Sequence, residues 1–345
     1  METAENRIIR VAVIGAGLIG KERINAINAL RRKGKAIVVS GIYDPYVKNQ
    51  DEISKKFSVN FYQTLDSLFL DNPNWIFIAV PHDVAVELTK KCLTKGFNVL
   101  VEKPLGRSYS EAKNIMEYVQ RPDQLWVGFD YRFYKGINSA LKDIKRGKFG
   151  RLISVNMVLG HGGDPGMRTS WKFDPVKAGG GCLIDPGIHL LDLCRIISNN
   201  KLHIVGIGSW SGFWKTGIEE ECHILLKAKE GFFINMQVSV VRWRSTFRIE
   251  INGEEGYGII TGRNRSYGNQ KYIRGKKWGW VDEGKPQDQT EEQVVDTSGE
   301  DVFENEIEAL IFSDKTSEII PCSGYEAMQN MKLLDLCLNS MKNKK

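Results

Sequence analysis

The sequence predicts an α/β plus α+β protein. A doubly wound parallel sheet comes first, followed by an open, predominantly antiparallel sheet flanked by helices. Three observations carry this reading. A short apolar run rich in β-branched residues, within Arg7–Ile14, ends in the glycines Gly15, Gly17 and Gly20. Apolar strands and helix-like segments then alternate as far as Phe129. From Ile204 onward, strand follows strand with short turns such as Asn252-Gly253 and Lys229-Glu230-Gly231.

The first run suits a strand buried on both faces of a parallel sheet. Gly15 permits a tight turn, Gly17 lets the backbone approach a pyrophosphate, and Gly20 lets the next helix pack close to the sheet. Leu18 and Ile19 complete the turn into that helix, which Ile24, Ile27, Ala29 and Leu30 mark. Free N–H groups and the positive end of the helix dipole favour an anion there. The second strand, Ala36–Tyr43, ends on Asp44, placed to accept both ribose hydroxyls of NAD and to repel the 2′-phosphate of NADP. A Rossmann dinucleotide site is therefore expected, taking NAD, with NADP as the alternative.

Helices follow near Val47–Phe57 and Leu65–Leu70, then the strand Trp75–Val80, a helix near Val84–Thr94, the strand Phe97–Val101, a helix near Ser110–Val119 and the strand Leu125–Phe129. The continuously apolar strands read as interior, so their C-terminal ends, Val80-Pro81-His82 and Glu102-Lys103, face the cofactor crevice. Beyond Asp130 come a helix near Ile137–Lys145, the strand Leu152–Leu159, and a Gly-rich loop with His161, Asp164, Arg168 and Trp171. A helix over Gly181–Ile197 leads into strands Ile204–Trp210, Cys222–Lys227, Phe232–Val240, Phe247–Asn252 and Gly256–Thr261. The basic and aromatic stretch Arg263–Trp280 reads as a solvated hairpin or subunit contact, Asp282–Glu300 as loop, and Glu304–Phe312 and Tyr325–Met341 as amphipathic helices.

With 345 residues, 42% hydrophobic and 26% charged, the chain has the make-up of a folded two-domain protein and not of a disordered one. A net charge of +6, dispersed along the sequence, is too small to argue for nucleic acid but favours anionic small molecules. The start lacks an apolar leader and no run approaches membrane-spanning length, so a cytoplasmic protein without membrane contact is expected. Six scattered cysteines form no Cys-x-x-Cys pair and read as reduced core thiols, so neither disulfides nor a metal is expected.

Two further constellations carry chemistry. Glu102-Lys103-Pro104 follows a strand directly, where a lysine could reach a nicotinamide edge and a substrate hydroxyl, aimed by a cis bond before Pro104. A charged turn capping the strand reads equally well. In Gly179-Gly180-Gly181-Cys182-Leu183-Ile184-Asp185-Pro186-Gly187-Ile188-His189, Asp185 and His189 lie four apart, so on a helix they share one face. The carboxylate would orient the imidazole, which would take a hydroxyl proton. The alternative is a helix N-capped by Asp185 with Pro186 at its first position and a satisfied histidine.

In this order, the glycine fingerprint, Asp44, Glu102-Lys103-Pro104, Trp171 before three glycines, and Asp185 with His189 resemble the glucose–fructose oxidoreductase and inositol dehydrogenase (Gfo/Idh/MocA) family over nearly the whole chain. The resemblance implies a Rossmann domain over 1–128 and a substrate-binding and oligomerisation domain over 129–345, often dimeric or tetrameric through its sheet. It implies NAD(P)-dependent hydride transfer at one carbon of a sugar, cyclitol or related alcohol, with Lys103, Asp185 and His189 as the catalytic residues. His82 and Ala85 stand where the family commonly has Asn and His. Tyr131, Arg132, Arg168, Trp171 and Lys172 fall where the family's cleft walls lie, and their aromatic and basic character favours a phosphorylated or nucleotide-linked sugar. The rival readings are a redox-neutral NAD-dependent glycosidase and a non-catalytic NAD(P)-sensing regulator on the same scaffold.

Overall fold

The computed structural model describes residues 8–277, 292–298, 301–313 and 320–342. The chain divides into two units, Met1–Asp130 with Asp301–Lys332 and Tyr131–Glu300 with Leu333–Lys345.

In the first unit, β1 (Ile9–Ile14), β2 (Ile37–Tyr43), β3 (Trp75–Ile78), β4 (Asn98–Glu102) and β5 (Leu125–Gly128) form a parallel sheet in the order β5-β4-β3-β1-β2. The connecting helices are α1 (Leu18–Arg32), α2 (Gln50–Phe57), α3 (Leu65–Leu70), α4 (His82–Thr94) and α5 (Tyr109–Met116). Their starts are locally encoded: Thr64 and Ser67 make a reciprocal capping box for α3, and the Ser108 hydroxyl accepts the Glu111 N–H to cap α5. Val11, Val13, Phe77 and Leu100 from the strands pack with Ile24, Ile27 and Leu30 of α1 in one buried core. Strand order reverses at β1, which lies between β2 and β3, so a crevice opens at the C-terminal ends of these strands.

The second unit contains α6 (Lys135–Lys145), β6 (Leu152–Gly160), the one-turn α7 (Pro175–Ala178), α8 (Ile188–Ile197), and β7 (Leu202–Trp210) through β8 (Glu221–Ala228), β9 (Phe233–Ser239), β10 (Thr246–Gly253), β11 (Gly256–Thr261), β12 (Lys271–Lys276) and β13 (Gln293–Val295). The sheet order is β13-β12-β11-β10-β6-β9-β8-β7, antiparallel except for the β6–β9 pair. Register places Tyr272, Ile260, Ile249, Met157, Met236 and Ile224 in one buried row across six strands. Both long helices reach this row. Asp143 of α6 accepts the Tyr272 hydroxyl at 2.7 Å, and Cys194 of α8 has its Sγ 3.9 Å from Met157 Sδ. Helices therefore cover one face of the sheet.

Two features differ from the sequence reading, and a third lies partly outside the described residues. β13 lies in a stretch read as loop, because its pairing with β12 is set by the partner strand and not by its own polar sequence. Trp278 and Trp280 of the basic and aromatic stretch lie outside the described residues, while Lys271–Lys276 within it is a sheet strand. The segment Asp301–Lys332, placed with the second domain in the sequence reading, belongs with the first unit. There α9 (Val302–Ile311) packs on α1, β14 (Cys322–Ser323) adds antiparallel to β5, and α10 (Gly324–Lys342) begins.

Charge explains the return of α9. Arg23 of α1 is buried; its guanidinium bonds Glu102 at the end of β4 at 2.8 Å and Glu306 of α9 at 2.5 Å, with the Phe303 ring 4.7 Å away. Burial, opposed by Arg23 and joined by Asp130 and Glu102, pushes the Glu306 carboxyl up to about 7. A carboxyl raised in the native state favours folding most below its unfolded value, and the contribution fades as pH climbs through the native one. Wild-type stability relative to Glu306→Gln, read from thermal unfolding, is expected to fall by on the order of 2 kcal/mol between about pH 5 and 8. A difference constant over that range would mean that Glu306 stays ionised throughout.

Candidate functional site

Backbone meets backbone where β1 turns into α1. Gly15 has φ +96°, and a Cβ there would lie 2.3 Å from the Ala79 carbonyl oxygen; one on Gly20 would lie 1.9 Å from the Gly15 oxygen. Gly17 is different. Nothing lies within 4 Å of its Cβ position, and it opens α1 without a side-chain cap, leaving room and helix N–H groups for an anion. This geometry fits a dinucleotide pyrophosphate. Leu18, at the first helical position, is exposed and Ile19 is half-buried. Val80 touches the same turn, with its Cγ1 2.9 Å from the Gly15 Cβ position.

Asp44 ends β2 as expected, but its carboxylate also ties the crevice together. Oδ2 accepts the Ala16 N–H at 2.8 Å, and Oδ1 accepts those of Tyr46 and Val47 at 2.9 and 3.1 Å. Pro81 precedes α4, and His82 is the buried first residue of that helix. Glu102 bonds Arg23, and the Lys103–Pro104 peptide that follows is cis. The residues assigned to the cofactor thus gather at the C-terminal ends of β1, β2, β3 and β4, four neighbouring strands.

In the second unit the structure corrects the helix expected from Gly181. Residues 181–187 form a turn in which Asp185 N–H bonds the Gly181 carbonyl at 3.0 Å and Gly187 N–H bonds that of Cys182 at 2.8 Å; α8 begins only at Ile188. Asp185 is therefore neither an N-cap nor on the helix, and the Asp185–Pro186 peptide is cis. Proline disfavours helical backbone in the residue before it, and a Cβ on Gly187 would lie 2.6 Å from the Leu183 oxygen, so only glycine lets the chain fold back here.

The Asp185 carboxylate pairs with Lys172 at 2.8 Å, which raises the Lys172 ammonium above its usual range. His189, buried on α8, stacks flat on Tyr131, with centroids 3.9 Å apart and planes at 7°. Arg263 lies 5.0 Å from the centre of the Tyr131 ring and 4.4 Å from that of Tyr267. His161 joins this group: burial lowers its imidazole, as do Lys172 and Arg263, against Asp185 and Asp164. Arg168 and Trp171 sit on the 3-10 turns Met167–Thr169 and Trp171–Phe173. Arg132, expected at a cleft wall, is instead buried, its guanidinium held by both Asp192 oxygens at 2.7 and 2.6 Å. The neighbouring aromatic positions face inward on the 3-10 turn Asp130–Phe133, and Arg132 follows them into the core.

One residue escaped the sequence reading. A Glu219 carboxylate oxygen accepts the N–H of Gly181 at 2.8 Å and of Leu183 at 3.3 Å, and its backbone oxygen accepts that of Cys182 at 2.9 Å. Glu219 therefore holds the turn that presents Asp185. Standing in a run of three glutamates 38 positions from Gly181, it carries no local signal. All six cysteines are free and buried, and no cluster suited to a metal and no helix long and apolar enough to cross a membrane is found among the described residues.

Comparison with known proteins agrees with both halves. Residues 9–129 match the family model described as oxidoreductase family, NAD-binding Rossmann fold, and residues 142–345 match its C-terminal alpha/beta domain. The chain is 26% identical over 198 residues to levoglucosan dehydrogenase of Pseudarthrobacter phenanthrenivorans, covering 55% of this chain and 51% of that protein. It is 22% identical over 241 residues to inositol 2-dehydrogenase of Corynebacterium glutamicum, 68% of each. The first of these matches thus spans about half of the relative's length. A solved levoglucosan dehydrogenase in complex with NADH and levoglucosan superposes with a TM-score of 0.82 at 19% identity, covering 98% of each chain, which shows a shared fold. With a glycine turn shaped for a pyrophosphate and family models matching both halves, the chain belongs to the Gfo/Idh/MocA family of oxidoreductases and carries its NAD(P)-binding domain.

Proposed function

We propose that the protein transfers a hydride between the nicotinamide of NAD(P) and a CH–OH carbon of a sugar or cyclitol-like substrate. The observation that supports this most directly is the Asp185 turn, where a carboxylate held by Lys172 stands four residues before an imidazole braced flat on Tyr131. A family whose members include enzymes named for levoglucosan and inositol oxidation gives the substrate class.

When bound, the nicotinamide accepts hydride in oxidation and returns it in reduction. His189 takes the hydroxyl proton onto an imidazole nitrogen as the carbon gives up its hydride, the Tyr131 stack keeping the ring from turning away. Lys103, which follows β4, has the role of stabilising the negative charge that develops in the reaction. Asp185 orients the hydroxyl, and Glu219 keeps the Asp185 turn in place through the Gly181 and Leu183 N–H groups. On the cofactor side, Gly15, Gly17, Gly20 and the start of α1 hold the pyrophosphate, and Asp44 receives the ribose. Reduction runs the proton and hydride movements in reverse.

Screening NAD and NADP against neutral and phosphorylated sugars and cyclitols by nicotinamide fluorescence identifies the substrate. With it, His189→Ala and Lys103→Ala are each expected to lower kcat by about 10²- to 10⁴-fold while NAD binding persists. Near-normal turnover by His189→Ala would remove it as the base. Turnover with no net change in nicotinamide would instead indicate redox-neutral chemistry. NAD is expected to bind more tightly than NADP, and Asp44→Ala to weaken NAD by about tenfold or more, narrowing the difference. Equal affinities in the wild type would contradict the role of Asp44.

A further inference from the structure

Beside the turns that carry Trp171, the second unit has a cavity of about 680 Å³. Three cations, Arg168, Lys177 and Lys215, line it, against the single carboxylate of Asp174. One oxygen of that carboxylate, Oδ1, accepts the N–H groups of Val176 and Lys177 at 2.9 and 3.3 Å to cap α7, and its charge against the three cations leaves the lining two positive charges in excess. Among the described residues neither Lys177 nor Lys215 has an acidic partner. Arg168 gives one bond to the Phe213 carbonyl at 3.3 Å, a fraction of the donors its guanidinium has. Lys215 is held at φ +56°, a left-handed conformation that lysine seldom adopts.

The cavity wall is fixed to the Asp185 turn. Buried Trp214 donates its indole N–H to the Val240 carbonyl at 2.9 Å, and the Glu220 carboxylate accepts the backbone N–H groups of Phe213 and Trp214, both at 2.9 Å. The preceding residue, Glu219, holds the Gly181 and Leu183 N–H groups. One dipeptide therefore sets both the wall and the turn. From the other side, the Trp171 ring in the wall lies 5.9 Å from the Lys172 ammonium, which is 2.8 Å from Asp185.

We propose that this cavity takes a phosphoryl group carried by the substrate, seated between Arg168, Lys177 and Lys215, with the sugar extending past Trp171 toward Asp185. The substrate part of this rests on the hydride-transfer reading above. An excess of two positive charges is more than a carboxylate's single charge needs and matches a phosphoryl dianion, with arginine supplying paired donors and lysine point charges. A sugar monophosphate and a nucleoside diphosphate sugar share this chemistry.

The full chain, saturated with NAD so that the glycine turn is filled, is titrated with inorganic pyrophosphate by calorimetry, at constant ionic strength. Saturable binding is expected, weakened about tenfold by Lys215→Ala and again by Lys177→Ala, with NAD affinity unchanged in both variants. No saturable heat, or variants that bind as the wild type does, would overturn the cavity assignment. In turnover, a hexose, its 6-phosphate and its uridine diphosphate conjugate distinguish the two sources. Equal kcat/KM for neutral and phosphorylated forms would also remove the proposal while leaving hydride transfer intact. Failure to bind NAD would count against the hydride-transfer reading instead, and the loss of pyrophosphate affinity in Lys215→Ala and Lys177→Ala would still judge the cavity.

Discussion

A single buried guanidinium organises the first unit. Arg23 sits on α1, which begins at the glycine turn; it bonds Glu102, the residue before Lys103, and Glu306 on a helix that returns from almost 300 residues away along the chain. Taking charges out of water is costly, and losing Arg23 would leave the buried Glu306 carboxyl facing Glu102 with no counter-charge, a change of about 3–5 kcal/mol. The ion cluster therefore fixes the distance between the start of the cofactor helix and the end of the strand that presents Lys103. Lys33 with Glu304 and Lys35 with Glu308 extend the same seam at the surface, where such pairs contribute little. The specificity of the α1–α9 contact lies in Arg23.

In the second unit the analogous work falls to backbone–carboxylate bonds. Glu219 and Glu220 spend their side chains on amide groups, one closing the turn before α8 and the other the loop before β8. Burial raises the Glu219 carboxyl above the usual range, with the Gly181 and Leu183 N–H groups opposing that shift. The result is a rigid presentation of Asp185 and His189 on a sheet whose buried cross-strand row leaves little freedom to the helices above it. Such placement is what the proton transfer proposed for His189 requires.

Much of this was legible in the sequence because it is local or periodic. Continuously apolar β-branched runs mark strands covered on both faces, and glycine spacing at 15, 17 and 20 reports a backbone approach that allows no Cβ at two of the three positions. The illegible parts share one property: they depend on partners far along the chain. Pro186 next to an acidic residue has the local signature of a helix start, yet Glu219 and Gly187 make the segment a turn. Arg132 looks like a surface cation until Asp192 claims it. β13 becomes a strand only through β12, and the parallel β6–β9 pair requires a crossover that no turn residue announces. Nor does the sequence of α9, amphipathic in the ordinary way, say which core it covers.

The proposed reaction passes hydride directly between a carbon of the substrate and the nicotinamide ring. It is tested most directly by incubating the protein with NAD and a substrate deuterated at the reacting carbon, then locating the label by NMR. Deuterium at C4 of the reduced nicotinamide is the expected result. Label lost to solvent, or kept on the original carbon while product accumulates, would contradict the account.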